Sequence, residues 1–370
     1  MSEFDYLVVG AGLFGSTFAY EAAKRGCRVK VIDKRDHLGG NIYTERVAGI
    51  DVHRYGAHIF HTNNKSIWDY LNQFTEFNHF VNAPIANYQG KLYNLPFNMN
   101  TFYQLWGTLT PAEAQAKIAE QREVLAGKDP QNLEEQAITL VGTDIYHTLI
   151  KEYTKKQWGK DPKELPAFII KRLPVRFTFD NNYFSDNYQG IPIGGYTEII
   201  KKMLASDQIV VETEVDFFDN KVEYLQNYPK IIYSGMIDEF FDYQLGTLAY
   251  RSLRFETELL QGVANYQGNA VVNYTDGQTP YTRIIEHKHF NFGQQPDTII
   301  TKEYSKDWHQ GDEAYYPIND DENTQLYKKY VKLAKKEDNV LFGGRLGTYQ
   351  YLNMDQVVAS ALAMVKREFN

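Results

Sequence analysis

Gly10, Gly12 and Gly15, in the stretch VVGAGLFGS (Val8–Ser16), are spaced as G-x-G-x-x-G, and Asp33 closes the following RVKVID. That set has a definite chemistry. Gly10 permits a tight turn, Gly12 lets backbone approach a pyrophosphate, and Gly15 lets a helix lie close on a strand. The phosphates of a dinucleotide then rest on free N–H groups at the positive helix end. Asp33 is placed to accept hydrogen bonds from a ribose diol. Leu13 and Phe14, inside the turn, join the candidate cofactor contacts.

Two other residue types bear on chemistry. The chain holds 28 Tyr, and a tyrosine can stack a ring while its hydroxyl binds an anion. Its net charge is −8, which excludes nucleic acid as the main partner, so an anionic ligand must be met by a few local arginines. Arg172 and Arg176, taken by spacing alone, read as solvated loop charges, and isolated tyrosines as packing residues. His58-x-x-His61 and His287-x-His289 have the look of metal pairs, yet no third ligand has matching spacing, and no metal is expected.

The elements that must position these residues follow from pattern. Phe4–Val9 is a short apolar run, Phe14–Lys24 is helical, and RVKVID is β-branched and alternating: one βαβ unit. Asn132-Leu133-Glu134-Glu135 has capping-box spacing, and Leu133, Ala137, Leu140 and Val141 share a helical face. Gly142 ends that helix and Thr143-Asp144 caps the next. Residues 171–195, rich in Asn, Asp, Gly and aromatics, read as a long loop of the kind that forms lids. Residues 209–305 hold mostly short alternating segments, the pattern of an antiparallel sheet with one wet face. A buried strand, a glycine-flanked Arg345 and an apolar-striped helix end the chain, and the lysines at 328–336 form a wet helix face. With 370 residues, two or three domains are expected, soluble and cytoplasmic: Cys27 is the only cysteine, no apolar run is long enough to span a membrane, and the opening MSEFDYLVVGAG leaves no room for a signal peptide.

After Asp33 comes KRDHLGGN, where Lys34, Gly40 and Asn41 follow the acidic strand tip. A basic residue and a Gly-Gly pair there resemble the FAD-binding folds of the glutathione-reductase superfamily, most of which carry Glu where this chain has Asp33. VLFGGRLG near the C-terminus resembles that superfamily's last flavin-side motif. FAD, held without a covalent link, is therefore expected ahead of NAD. Further stretches converge: GAHIFHT (56–62), YTKKQWG (153–159), RLPVRFTFDNNYF (172–184), YTRIIEHKHF (281–290), EAYYPIN (313–319) and FGGRLGTYQY (342–351) resemble the prokaryotic UDP-galactopyranose mutase family.

That resemblance, running from about residue 4 to the C-terminus, implies an isomerase that interconverts UDP-galactopyranose and UDP-galactofuranose on reduced FAD with no net redox change. Flavin N5 attacks the anomeric carbon and displaces UDP, which later reattaches. It implies a Rossmann-like FAD domain (1–80, 190–240 and 338–370), a helical domain (98–188) with a mobile substrate loop about 171–190, and an antiparallel sheet domain (81–97 and 241–337). It also implies an external reductant such as NAD(P)H, a homodimer and a place in galactofuranose and cell-wall polysaccharide synthesis. Arg172 and Arg283 would grip the diphosphate as catalytic residues, with His61 beside them. Tyr183, Tyr316 and Tyr351 would donate to the same oxygens, with Tyr315 the alternative to Tyr316. Tyr153 would face uracil, Trp158 would sit where lid and sugar meet, and Asn82, Asn273 and Arg251 would line the substrate. His58 and Arg345 would lie on the flavin side. Where many relatives carry Asp, this chain has Asn353. The competing function is an FAD oxidoreductase of the amine-oxidase type.

Overall fold

The computed structural model describes residues 3–171 and 173–369. A parallel sheet is ordered Val340–Phe342, Lys230–Tyr233, Tyr6–Val9, Val29–Ile32, Ile209–Glu212. Tyr6 lies between Lys230 and Val29, and Val9 between Tyr233 and Ile32, so the N-terminal strand is central. Its residues read as a continuous apolar run because helices cover both faces of the sheet. The Leu13–Ala23 helix packs beside Met354–Phe369 and Tyr196–Leu204 on one face, around Phe18, Val8, Val31 and Ile200. On the other face Leu7, Ile32, Ile231, Phe240 and Tyr330 close a second cluster. Burying each such side chain contributes about 1.5–3 kcal/mol.

Gly10 takes φ +104°, a conformation that L side chains rarely adopt. The βαβ unit is therefore present as the glycine spacing requires.

A second sheet is ordered Tyr316–Pro317, Tyr250–Leu260, Thr298–Asp307, Arg283–Glu286, Val271–Tyr274, Ile85–Tyr88, Lys91–Asn94. Its long pair, Tyr250–Leu260 with Thr298–Asp307, is antiparallel. One pairing departs from the expected pattern: Val271–Tyr274 runs parallel to Ile85–Tyr88, because the latter enters from a distant part of the chain. Ile209–Glu212 and Lys230–Tyr233, inside the alternating 209–305 stretch, join the parallel sheet instead. Alternation alone cannot say which sheet a short strand enters.

Helices Met99–Trp106, Pro111–Arg122, Leu133–Ile145 and Lys151–Trp158 form a helical region around Phe102, Ile118, Val141 and Tyr146. Asn98 and Thr110 each complete a capping box, and the Asn132 side chain accepts from the Glu135 amide at 3.0 Å. The helix after Asn132 breaks at Gly142, where φ is +83°. A wider π turn, Tyr146–Ile150, leads directly into Lys151–Trp158. Such turns concentrate near functional sites because the extra residue re-aims the next stretch of helix.

Candidate functional site

The dinucleotide cradle is built from backbone. The helix that starts after Gly12 has no capping side chain and no acid in its first turn, so its amides stay open to an anion. Gly12 bridges Gly39, and a Cβ placed on Gly40 would come within 3.1 Å of the Gly12 Cα. Only bare backbone allows these two turns to approach. Asp33, buried at the strand tip, accepts from the Ala11 amide at 2.8 Å and the Arg35 amide at 3.0 Å. The open helix end, the paired glycine turns and the placed acid fit a dinucleotide such as FAD.

Around the rim, Lys34 pairs with Glu313 at 3.1 Å. Arg35 donates to Asn41 at 2.9 Å and to Glu313 at 2.8 Å, with its guanidinium over the Tyr55 ring. Sequence reasoning missed Arg35 and Glu313; the KRDH basic pair was the only available signal, and the partner lies across the fold.

Gly343 and Gly344, next to Arg345, lie against the Phe14 ring of the cradle, and Arg345 and Arg283 both lie near His58. The His58 amide donates to His53 Nδ1 at 3.2 Å, and the Tyr196 hydroxyl holds the His58 carbonyl at 3.0 Å. The His53 amide in turn donates to His287 Nδ1 at 3.2 Å. Burial, with Arg345 and Arg283 nearby, pushes His58 down to about 4, so the ring is neutral near pH 7. Arg345 donates to the carbonyls of Tyr315 and Leu352 and lies over the Tyr351 ring.

One wall of the site centres on Arg283. Its Nε pairs with Glu303 at 3.0 Å, and its Nη2 donates to the Tyr153 hydroxyl at 3.2 Å. Glu303 is buried and faces Arg283 across the strand pair. Burial works against the Arg283 charge, but the Glu303 carboxylate outweighs it and holds the guanidinium firmly protonated. Glu303 lies against Nε as an ion pair and Tyr153 takes Nη2, so Nη1 has no partner among the described residues and is the arm left for a ligand. Asn273 pairs in register with Arg283, and its Oδ1 is buried without a hydrogen-bond partner. Glu303 is the principal residue that sequence reasoning missed, since no local spacing links it to Arg283.

Aromatics complete this wall. Tyr316 meets Trp158 and Tyr351 edge-on, with centroids 6.5 Å and 5.8 Å away. Burial beside Glu303 pushes its phenol up to about 12, so it is a donor. Tyr315 instead packs on Tyr55 and Phe255. Tyr316 is thus the member of the pair that shares space with Arg283. Arg251 is buried and engaged: it bonds Asp307, and Ser305 at 2.9 Å.

Arg172 lies outside the described residues. From Arg176 onward the neighbouring segment is tied to the body. Arg176 donates to the Asn182 and Tyr183 carbonyls and to Ser185, and Asn98 holds the Asp180 carbonyl at 2.9 Å. The Tyr183 amide donates to the Asn82 carbonyl at 2.7 Å, leaving the half-exposed Tyr183 ring beside the wall. His61 makes its contacts with this same segment: its Nδ1 lies 2.5 Å from Asp186, and its ring stacks on Phe184 at 3.7 Å.

Among the described residues, no group of three or more His, Cys, Asp or Glu could hold a metal ion, and no helix is long and apolar enough to cross a membrane.

The chain matches known proteins over most of its length. A family model described as UDP-galactopyranose mutase matches residues 148–351, and one described as an NAD(P)-binding Rossmann-like domain matches residues 8–74. The "Probable UDP-galactopyranose mutase" of Klebsiella pneumoniae is 43% identical over 98% of this chain and 94% of its own. The "dTDP-fucopyranose mutase" of Escherichia coli is 41% identical over 96% of each. A solved reduced UDP-galactopyranose mutase superposes with a TM-score of 0.75 at 14% identity, covering 99% of this chain and 95% of that one, which supports the fold. With a parallel Rossmann-like sheet, a largely antiparallel second sheet and a matching family model over more than half its length, this chain belongs to the UDP-galactopyranose mutase family.

Proposed function

We propose that the chain is an isomerase interconverting the pyranose and furanose forms of UDP-galactose, with FAD bound non-covalently and active when reduced. The observation that carries this is the Arg283–Glu303–Tyr153 cluster, with His58 near both Arg283 and Arg345, and Arg345 next to the glycines that lie against Phe14 of the cradle. Bound in the cradle, reduced FAD supplies the nucleophile for the anomeric carbon. The remaining work falls to this chain's residues. Gly10, Gly12, Gly15 and the helix end hold the cofactor pyrophosphate, and Asp33 its ribose. Leu13, Phe14, Lys34, Gly40 and Asn41 complete that cradle.

Across from it, Arg283 and Arg172 bind the diphosphate, and Tyr183, Tyr316 and Tyr351 add hydroxyl donors. Charge grows on those oxygens as UDP departs, so preorganised donors lower the barrier for leaving and return. Tyr153 and Trp158 bound the base and sugar, while Asn82, Asn273 and His61 border the sugar. Arg251 bonds Ser305, whose hydroxyl donates to the Gln157 carbonyl, and so helps hold the Trp158 end of that helix to the strand pair.

The same reading carries an external reductant such as NAD(P)H, a homodimer, a cytoplasmic location, galactofuranose supply for cell-wall polysaccharide, and the discontinuous three-part division of the chain. An amine-oxidase-type oxidoreductase shares the cradle but gives the arginine and tyrosine wall no role.

Incubation of dithionite-reduced protein with UDP-galactofuranose tests the proposal. The expected result is UDP-galactopyranose by chromatography, with no electrons consumed per turnover. A preference for dTDP-fucopyranose would move the substrate to the sugar nucleotide named for the Escherichia coli relative. No conversion of either, with the flavin reduced and UDP bound, would overturn the isomerase.

A further inference from the structure

Lys156 lies in the Lys151–Trp158 helix between Tyr153 and Trp158, yet it points to neither. Its ammonium donates to three backbone carbonyls of one turn: Tyr274 at 2.7 Å, Thr279 at 3.0 Å and Tyr281 at 3.1 Å. An ammonium has three donors on a tetrahedral centre, so this nest uses them all. The turn joins Val271–Tyr274 to Arg283–Glu286, the two strands that carry Asn273 and Arg283. It is closed from inside by Asp276, which accepts from the Gln278 and Thr279 amides and from the Thr279 hydroxyl.

We propose that Lys156 is a positioning residue for nucleotide binding, whose ammonium fixes the helix bearing Tyr153 and Trp158 at one spacing from the strand pair bearing Asn273 and Arg283. The inference rests on the diphosphate and base reading of the wall given above. Without the ammonium, three inward carbonyls lose their donor at once, and the turn must open to water or rearrange. Arg283 is two residues from the last of those carbonyls and reaches Tyr153 by a single bond of 3.2 Å, so a small shift of the turn separates the two.

The charge is held against a cost. Burial outweighs the attraction of Asp276 and Glu152, the two carboxylates that face the group, and pulls the ammonium down to about 8. Tyr274 and Tyr281 flank it on the turn with phenols raised by burial, and so stay neutral there. A surface lysine on the same helix would meet no such penalty. Lys155, one residue earlier, is exposed.

The test uses the FAD-loaded full chain with UDP as probe. Lys156→Met keeps an unbranched side chain, one atom shorter, and removes its donors. Its UDP dissociation constant and its KM should rise about tenfold or more, with kcat within about threefold, because a misplaced wall loses binding remote from the reacting carbon. Wild-type affinity for UDP should weaken as pH rises through 8, and that slope should vanish in Lys156→Met. Lys156→Arg keeps a charge, but its flat fork suits only part of the nest, so it should fall between the two and serves if the Met variant folds poorly. Lys155→Met should match wild type.

UDP affinity in Lys156→Met within twofold of wild type would overturn the inference, as would a fall in kcat at unchanged KM. Either result with UDP-binding wild type leaves the functional proposal intact; wild type that binds no UDP would overturn both.

Discussion

The cradle and the wall that faces it use different materials. The cradle is nearly all backbone, with open helix amides, two glycine turns in contact, and one carboxylate, all supplied by residues 10 to 41. The wall is nearly all side chain, and Tyr153, Asn273, Arg283, Glu303, Tyr316 and Tyr351 reach it from separate elements and loops. A backbone site is sensitive to an added atom and, Asp33 apart, has no charge to lose. A side-chain site tolerates reshaping, yet each member is a charge or donor whose removal is felt directly.

The largest effect should come from breaking the cradle. A Cβ on Gly15 would sit 2.1 Å from the Gly10 carbonyl oxygen, a backbone atom that cannot step aside. Gly15→Val should therefore lose flavin and destabilise the fold by about 3 kcal/mol or more, read as the ratio of flavin to protein absorbance and a thermal melt. Full flavin content in that variant would break the comparison on the cradle side.

Arg283→Ala should show the reverse pattern. It keeps flavin colour but loses about a thousandfold in kcat/KM, because Glu303 is left buried and unpaired while the diphosphate loses a charged fork. Flavin loss there would place Arg283 on the cradle side. Glu303→Gln should cost less, about 10- to 100-fold, since Arg283 stays charged but loses its orientation.

How much of this the sequence made legible obeys the same division. Spacing within VVGAGLFGS and the tip residue Asp33 are local facts, so the cradle can be read in order along the chain. So can the Asn132 cap and the break at Gly142. Glu303 and Lys156 could not be found that way. The first matters because strand register places it across from Arg283, and the second because a turn more than a hundred residues later offers three carbonyls. The wall residues named from the family pattern, Arg283 and Tyr316 among them, were identified by resemblance and not by any physical signal of their own. Arg172, named with them, falls outside the described residues.

Two smaller effects sharpen the picture. Tyr316→Phe should lower kcat/KM by about tenfold, one hydrogen bond to developing charge, while Tyr315→Phe should be near neutral because that ring only packs. Equal effects would blur the boundary drawn between them. His58 and His287 are held neutral by burial, at about 4 and about 3 against an ordinary 6.5. An unfolded chain takes up these protons near pH 6.5 and the folded chain does not, so their contribution is complete above 6.5 and is lost progressively as pH falls toward about 4 for His58 and about 3 for His287. Thermal melts across that window should show the decline. Replacing His287 with Gln should flatten it.

The central claim is that cradle and wall meet around one substrate. Titrating UDP into the yellow, FAD-loaded protein while monitoring the flavin spectrum tests it most directly. The account predicts a saturable perturbation in wild type that disappears in Arg283→Ala at unchanged flavin content. A wild-type spectrum indifferent to bound UDP, with binding confirmed by calorimetry, would contradict it.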